Sequence, residues 1–230
     1  WLRECGLRGR FIPVIRVVID MLIGVILALA LLILLVILFI KNPSDFTGFP
    51  TLLLIFTLYR LGLNVATTRL ILSEANAGEL IDAFGEIVVS GSFVVGIVIF
   101  LILTVINFVV ITKGAGRIAE VAARFTLDAM PGKQLSIDAE LDKGYITVEV
   151  AIDKRRSLQQ ESDFYGAMDG ASKFVRGDAV AAILVTLVNI VGGLAIGVFE
   201  NGMPVGEALE TYTRLTIGDG LLTQVPAIVT

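Results

Sequence analysis

The sequence contains no histidine and only one cysteine, Cys5, among its 230 residues. It therefore lacks the commonest general base and the commonest transition-metal ligand. A single cysteine also excludes an intramolecular disulfide and a cysteine cluster. Charged residues are scarce as well, at 17%, against about a quarter in an ordinary soluble domain. We expect no catalytic site, no metal site and no cofactor.

Apolar residues make up 56% of the sequence and are concentrated in long runs. A run of roughly 20 apolar residues crosses a bilayer. The sequence predicts complete spans at residues 14–40, 50–72, 92–112 and 179–199, and the start of a further helix near residue 215. Backbone groups in lipid must be hydrogen-bonded within their own segment, so the spans are expected to be helices. The predicted fold class is all-α, a polytopic integral membrane helix bundle.

The distribution of lysine and arginine predicts the topology. Segment 113–177 carries ten of these residues, segment 73–91 carries none, and segment 201–214 carries one. Segment 113–177 is therefore expected in the cytoplasm, together with the short link at 41–49, and the two acidic segments outside. Because the chain changes sides at each span, residues 1–13 are expected outside. Their three arginines, however, favour the inside. A further helix upstream or an atypical start would resolve that conflict.

Segment 113–177 is too long to be a bare connector and predicts a small helical cytoplasmic subdomain. Pro131 and Gly132 are typical of a turn, and further short helices are expected between turns at Gly144, Gly166 and Gly170. One face of its first helix is predicted to be apolar and to comprise Ile118, Val121, Ala122, Phe125 and Met130.

Two glycine-containing runs in this segment resemble phosphate loops. "GAGRIA" at 114–119 follows a membrane helix, whereas a dinucleotide loop needs a preceding strand. "PGKQ" at 131–134 lacks the glycine and the hydroxyl residue that a P-loop needs, because Leu127 and Gln134 occupy those places. A nucleotide site is rejected. Without histidine, a cysteine cluster or a nucleotide loop, a membrane enzyme is disfavoured. No nucleic-acid partner is expected.

Charged and polar residues inside the spans are more informative, because a buried charge usually faces the bundle interior and has a partner. Asp20 lies four residues after Arg16, so it is either half of an ion pair on one helix face or a functional group.

The second span carries a polar stripe that begins at Arg60 and continues with Asn64 and with Thr67 or Thr68. Such a stripe indicates contact between helices or subunits, or a water-filled path. Arg69 points roughly the opposite way and is expected to extend its charge to the membrane surface.

Asp178 opens the fourth predicted span, close to Lys173 and Arg176. An acidic side chain at the start of a helix interacts favourably with the helix dipole, which would be a structural role. A carboxylate at the membrane boundary also suits a proton-linked switch. Both interpretations remain open from the residues alone.

Four stretches carry a resemblance to a known family: "TLYRLGLNVATTRLIL", "RIAEVAARFTLDAMPGKQLSIDAEL", "ESDFYGAMDGASKFVRGDA" and "LTIGDGLLTQVPA". They closely resemble the FHIPEP family, the large export-gate membrane proteins of flagellar and virulence type III secretion systems, from about residue 14 to the end. Two runs, "TKGAGRIAEV" and "DFYGAMDGASKFVRGDA", look more like the flagellar branch than the injectisome branch.

The resemblance implies a homo-oligomeric, nine-subunit ring in the bacterial inner membrane that uses the proton motive force to move unfolded substrate proteins. It implies about eight membrane helices, with one upstream of those seen here, and a large C-terminal cytosolic domain outside this sequence. It also implies contacts with other membrane export-gate subunits, and contacts of the C-terminal domain with the cytosolic ATPase complex and chaperone–substrate complexes.

Family motifs are carried over by position. The signature-loop positions are Arg117, Arg124, Asp128, Pro131, Gly132 and Lys133. The positions after the loop are Asp169, Lys173, Arg176 and Asp178, and the intramembrane positions are Arg60, Asn64 and Arg69. Asp178, supported by Lys173 and with Asp169 nearby, is the candidate for proton coupling. The alternatives are a scaffold ring without ion conduction and, on the residues alone, a self-contained small-molecule transporter.

Overall fold

A computed structural model of the chain describes residues 2–40, 46–89, 92–110, 114 and 116–229. All regular structure in those ranges is helical, in agreement with the predicted fold class. The helices are α1 (Leu2–Phe39), α2 (Phe49–Glu74), α3 (Glu79–Val89), α4 (Phe93–Phe108), α5 (Gly116–Asp142), α6 (Val148–Phe199) and α7 (Val205–Val229). Most of the predicted link at 41–49 and residues 111–113, where the third predicted span ends, lie outside the described residues.

Within the described ranges, three helices are long and apolar enough to cross a membrane: α1 from Pro13, α2 and α6. Helices α3 and α4 add a fourth span if the pair, bent by 106°, is counted as one. Segment 73–91, which is expected outside, contains helix α3 at Glu79–Val89. Glu79 and Asp82 lie in the first turn of α3, where acidic residues favour the helix dipole, and Ile81 is completely buried.

Helix α7 begins at Val205, so the predicted start near residue 215 is wrong. Its first turns are amphipathic: Ala208 and Tyr212 are completely buried, and Glu207 and Glu210 are exposed. The acidic residues of segment 201–214 thus lie on the exposed face of a packed helix.

Helix α6 runs for 52 residues without a break and joins a predicted membrane span to the segment before it. The turns predicted at Gly166 and Gly170 are wrong, because both glycines lie inside this helix. A helical glycine costs only about 1 kcal/mol relative to alanine, which packing along a long helix outweighs. Thr147 caps the start of the helix, because its hydroxyl accepts the Val150 N–H at 3.4 Å.

The predicted turn at Pro131 and Gly132 is also wrong, because both residues lie inside α5. Both are exposed, and the helix is held across them by Met130 and Ile137, which are buried against α6. These contacts outweigh the backbone hydrogen bond that a proline cannot donate. The chain turns instead at 143–147, where Gly144 adopts a φ of +72°, a left-handed conformation that glycine favours.

Helix α5 and residues 148–177 of α6 form an antiparallel pair, here called the α5–α6 hairpin. Its seam on α5 has a buried residue every seven positions, at Ala123, Met130 and Ile137. Of these, Met130 and Ile137 pack on Ala151 and Leu158 of α6. The predicted apolar face was largely wrong, since Ile118 is 71% and Phe125 73% exposed. Three ion pairs flank the seam: Lys133–Glu161, Lys154–Glu140 and Arg155–Asp138.

The core of the bundle is formed by α1, α2, α3 and α7 around Ile23, Phe56, Ile71, Ile81 and Leu215. Helices α3 and α7 approach so closely that a Cβ atom on Gly218 would collide with the carbonyl oxygen of Ile81. Small residues at helix crossings permit this kind of packing in membranes. The crossing fixes α7 against α3 and so places the residues that follow Gly218.

We predict that Gly218→Ala lowers the thermal unfolding midpoint of the detergent-solubilised protein. The added methyl group meets backbone rather than a movable side chain, and overpacking of this kind costs about 1–3 kcal/mol. Gly206→Ala is the matched control in the same helix, since a Cβ atom there meets open space. Equal midpoints for the two variants would contradict the close crossing.

Candidate functional site

A row of polar side chains runs along the buried face of α2. Thr57, Arg60, Asn64 and Thr67 are spaced by three or four residues, as one face of a helix requires, and each is at most 4% exposed. The Thr57 and Thr67 hydroxyls donate to carbonyl oxygens of their own helix. Arg60 and Asn64 therefore carry the polar groups on this face that need partners from other helices.

Arg60 finds its partner on α6. Its Nη2 donates to Oδ2 of Asp178, and the two side chains are only 5% and 3% exposed. Transfer of either charge out of water is costly, and the pair holds only because each partner compensates the other. Asp178 lies deep inside α6, which begins at Val148. A helix-dipole role at an N-terminus is therefore wrong for this residue.

The ion pair leaves some of its own hydrogen-bonding capacity unused. Among the described residues, Nε of Arg60, Oδ1 of Asp178 and Oδ1 of Asn64 are buried without a hydrogen-bond partner. Buried polar atoms are nearly always paired, so each exception needs an explanation. Groups of this kind can exchange partners or bind water without breaking the rest of the fold.

A second buried acid, Asp219 on α7, lies beside the same row. It is 5% exposed, it lies close to the Thr67 side chain, and its Oδ1 has no partner among the described residues. Sequence reasoning missed it, although the signal was available: an acid in the apolar run after residue 215 meets the criterion applied to Asp20. The site therefore contains two carboxylates and one guanidinium.

Lys173 and Asp169 pair with each other instead of supporting Asp178. Nζ of Lys173 donates to Oδ2 of Asp169 at 2.6 Å, and their side chains are 61% and 31% exposed. Arg176 lies against Gly116 at the start of α5. The structure thus assigns the support of Asp178 to Arg60 rather than to Lys173.

The signature-loop residues are distributed along the α5–α6 hairpin. Arg124 and Asp128 share a groove of about 360 Å³ with Asp169 and Lys173, about one to three helical turns along α6 from Asp178. The other positions on α5 are all exposed: Arg117, Pro131, Gly132 and Lys133. Lys133 joins α5 to α6 through Glu161, with both oxygens at 2.9 Å.

Two intramembrane candidates lie away from the ion pair. Asp20 accepts the backbone N–H groups of Glu79 at 3.1 Å and Leu80 at 3.3 Å, so it caps the start of α3 rather than pairing with Arg16. Its carboxylate also lies against Gly78, whose φ is +117°. Arg69 is exposed on α2. In the described part of the chain, no three acidic or cysteine side chains group closely enough to hold a metal ion.

These features define the class of protein: an all-α, polytopic membrane bundle with a buried charge pair and a projecting helical hairpin. The sequence profile of the FHIPEP family matches residues 10–230. The chain belongs to that family.

Three relatives show the extent of the match. The chain is 55% identical over 223 residues to proteins named flagellar biosynthesis protein FlhA from Caulobacter vibrioides, Salmonella typhimurium and Escherichia coli. In each case the alignment covers 95% of this chain and 32% of the relative. The chain thus spans about a third of the length of these relatives. No solved structure matches the sequence.

We predict that Arg60→Ala and Asp178→Ala each destabilise the bundle by about 3–5 kcal/mol, because each leaves a buried charge without its partner. The double variant is expected to be more stable than either single variant. A double-mutant cycle from denaturant unfolding in detergent measures the difference. The exposed Lys173–Asp169 pair is the control, with a coupling of about 1 kcal/mol or less. Additive effects at Arg60 and Asp178 would disprove the buried pair.

Proposed function

We propose that this chain is part of the membrane export gate of the flagellar type III protein export apparatus, and that it couples the proton motive force to translocation of unfolded substrate proteins. Membership of the FHIPEP family and 55% identity to proteins named for flagellar biosynthesis support the export role. The observation that carries the coupling role is the buried Arg60–Asp178 pair.

A carboxylate at this position can act as a proton-linked switch. When Asp178 accepts a proton it loses its charge, and the attraction that holds α6 to α2 weakens. Arg60 stays charged because a guanidinium does not release its proton in proteins. Asp219 is a second buried acid on the neighbouring helix, so two proton-accepting groups lie in the membrane part of one subunit.

The unbroken helix α6 connects this switch to the α5–α6 hairpin. Asp178 and the hairpin residues Ala151, Leu158 and Ala171 lie on the same helix. No proline interrupts it, so a shift of α6 at Asp178 is carried into the hairpin. In the proposed gate, proton binding inside the membrane changes how the hairpin packs on neighbouring subunits or on substrate.

We propose further that the protein lies in the bacterial inner membrane with the α5–α6 hairpin in the cytoplasm. The ten basic residues of segment 113–177 favour that side. The chain is proposed to act in a homo-oligomeric ring beside other membrane export-gate subunits. Docking of the ATPase complex and chaperone–substrate complexes is assigned to parts of the relatives that this chain does not span.

We predict that Asp178→Asn in the full-length protein reduces substrate secretion at least about tenfold, because an amide cannot take up the proton. Secretion is measured in cells that lack the native gene, over a range of proton motive force set with a protonophore. Asp163→Asn is the control, an exposed acid on the same helix, and is expected to secrete normally. Normal secretion by the Asp178 variant at every value of the proton motive force would refute the coupling role.

Proton flux through full-length protein in liposomes distinguishes the coupled gate from a scaffold ring. A flux that Asp178→Asn abolishes supports the gate. A ring without flux, in cells whose secretion still depends on this protein, supports the scaffold. Rescue of secretion in a strain that lacks a needle-complex export gate, but not in one that lacks the flagellar gate, would move the protein to the injectisome branch.

A further inference from the structure

A small cavity lies beside Arg60, where α2, α4, α6 and α7 meet. Its volume is about 30 Å³, and Arg60 and Asn107 are the lining residues that carry an unpartnered polar atom. By this measure of volume a water molecule needs about 10–15 Å³. The cavity therefore has room for about two water molecules.

The polar groups around the cavity match the hydrogen-bonding needs of water. Nε of Arg60 is a buried donor without a partner, and Oδ1 of Asn107 is a buried acceptor without a partner, among the described residues. The Thr186 and Thr223 hydroxyls, which also line the cavity, donate to carbonyl oxygens of their own helices. Each hydroxyl oxygen thus keeps lone pairs that can accept from water.

One side of the cavity is closed by a contact between α7 and α4. Nε2 of Gln224 donates to Oγ1 of Thr104 at 3.1 Å, and both residues line the cavity. Buried water in proteins usually makes about three hydrogen bonds. A water molecule here can accept from Arg60 and donate to Asn107 and to a threonine oxygen, which meets that requirement.

We propose that this cavity is a built water site, and that its water solvates the Arg60 guanidinium when Asp178 is protonated. Without that water, neutral Asp178 would leave the buried Arg60 cation without its ion-pair partner, a state that is costly. The water therefore makes the protonated state of the switch accessible. This role rests on the proposed function, whereas the water site itself does not.

Ala182→Leu tests the role, because it fills the cavity from α6 without removing a polar group. In full-length protein reconstituted in liposomes, we expect proton flux to fall at least about tenfold, the equivalent of losing one good hydrogen bond to a charge. The thermal midpoint is expected to hold or to rise, because filling a cavity stabilises a core. Ala182→Ser adds a small polar group and is expected to keep its flux.

Asn107→Leu is the second variant, because it removes the unpartnered acceptor, and it is expected to lower flux as well. Asn189→Leu is its control: Asn189 is a fully buried asparagine outside the lining of this cavity. Wild-type flux in Ala182→Leu and Asn107→Leu would overturn the role of the water. So would an equal loss of flux in the Asn189 control.

Direct observation of the water molecule tests the water site independently of the proposed coupling function. Electron cryomicroscopy of the full-length assembly, at a resolution that shows other buried waters, is expected to reveal a water molecule about 3 Å from Nε of Arg60. Its density should vanish in Ala182→Leu. A dry wild-type cavity would overturn the site. If the wild type contains the water but passes no protons, the proposed coupling function fails while the water site stands.

Discussion

The cost of placing charge in a hydrocarbon environment is the constraint on which this structure depends. Arg60 and Asp178 are 118 residues apart in sequence and lie on different helices, yet neither can be buried without the other. Their contact sets the register of α2 against α6. Because α6 continues without a break into the α5–α6 hairpin, the same contact also sets where the hairpin begins. A single electrostatic requirement thus positions both the bundle and the segment that projects from it.

Close packing between helices holds the rest of the bundle together, where no charge pair joins them. Lipid and apolar side chains are equally apolar, so helices in a membrane associate through shape and polar contacts rather than through exclusion from water. The crossing of α3 and α7 at Gly218 and the packing of Tyr212 over Gly193 and Gly197 are contacts of that kind. They hold α7 in place and bring Asp219 to Thr67 and Gln224 to Thr104. Small residues at the helix crossings therefore fix the positions of the helices that carry the polar site.

Hydropathy was a sound guide to the spans in α1, α2 and α6, because the bilayer dictates the length of an apolar run. Local turn signals failed where packing opposed them: Pro131 and Gly166 both lie within helices because the seam of the hairpin continues past them. The sequence also indicated that Arg60 faces the interior. It could not indicate Asp178 as the partner, since ion pairing between distant helices depends on their register, which no local pattern encodes. Asp219 was overlooked for a different reason, because it lies where α7 had been taken to begin.

The unbroken, proline-free helix α6 also has a geometric consequence. Residues 148–178 extend for about 45 Å at 1.5 Å per residue, with the charge pair at one end and the turn at Gly144 beyond the other. A tilt of this helix at the ion pair would move its far end, as a lever arm moves about its pivot. A tilt of about 5° at Asp178 would displace the far end by about 4 Å over that length, which is comparable to the width of an amino-acid side chain. A small change in the angle of α6 at the ion pair is thereby converted into a movement of several ångströms at the turn of the hairpin.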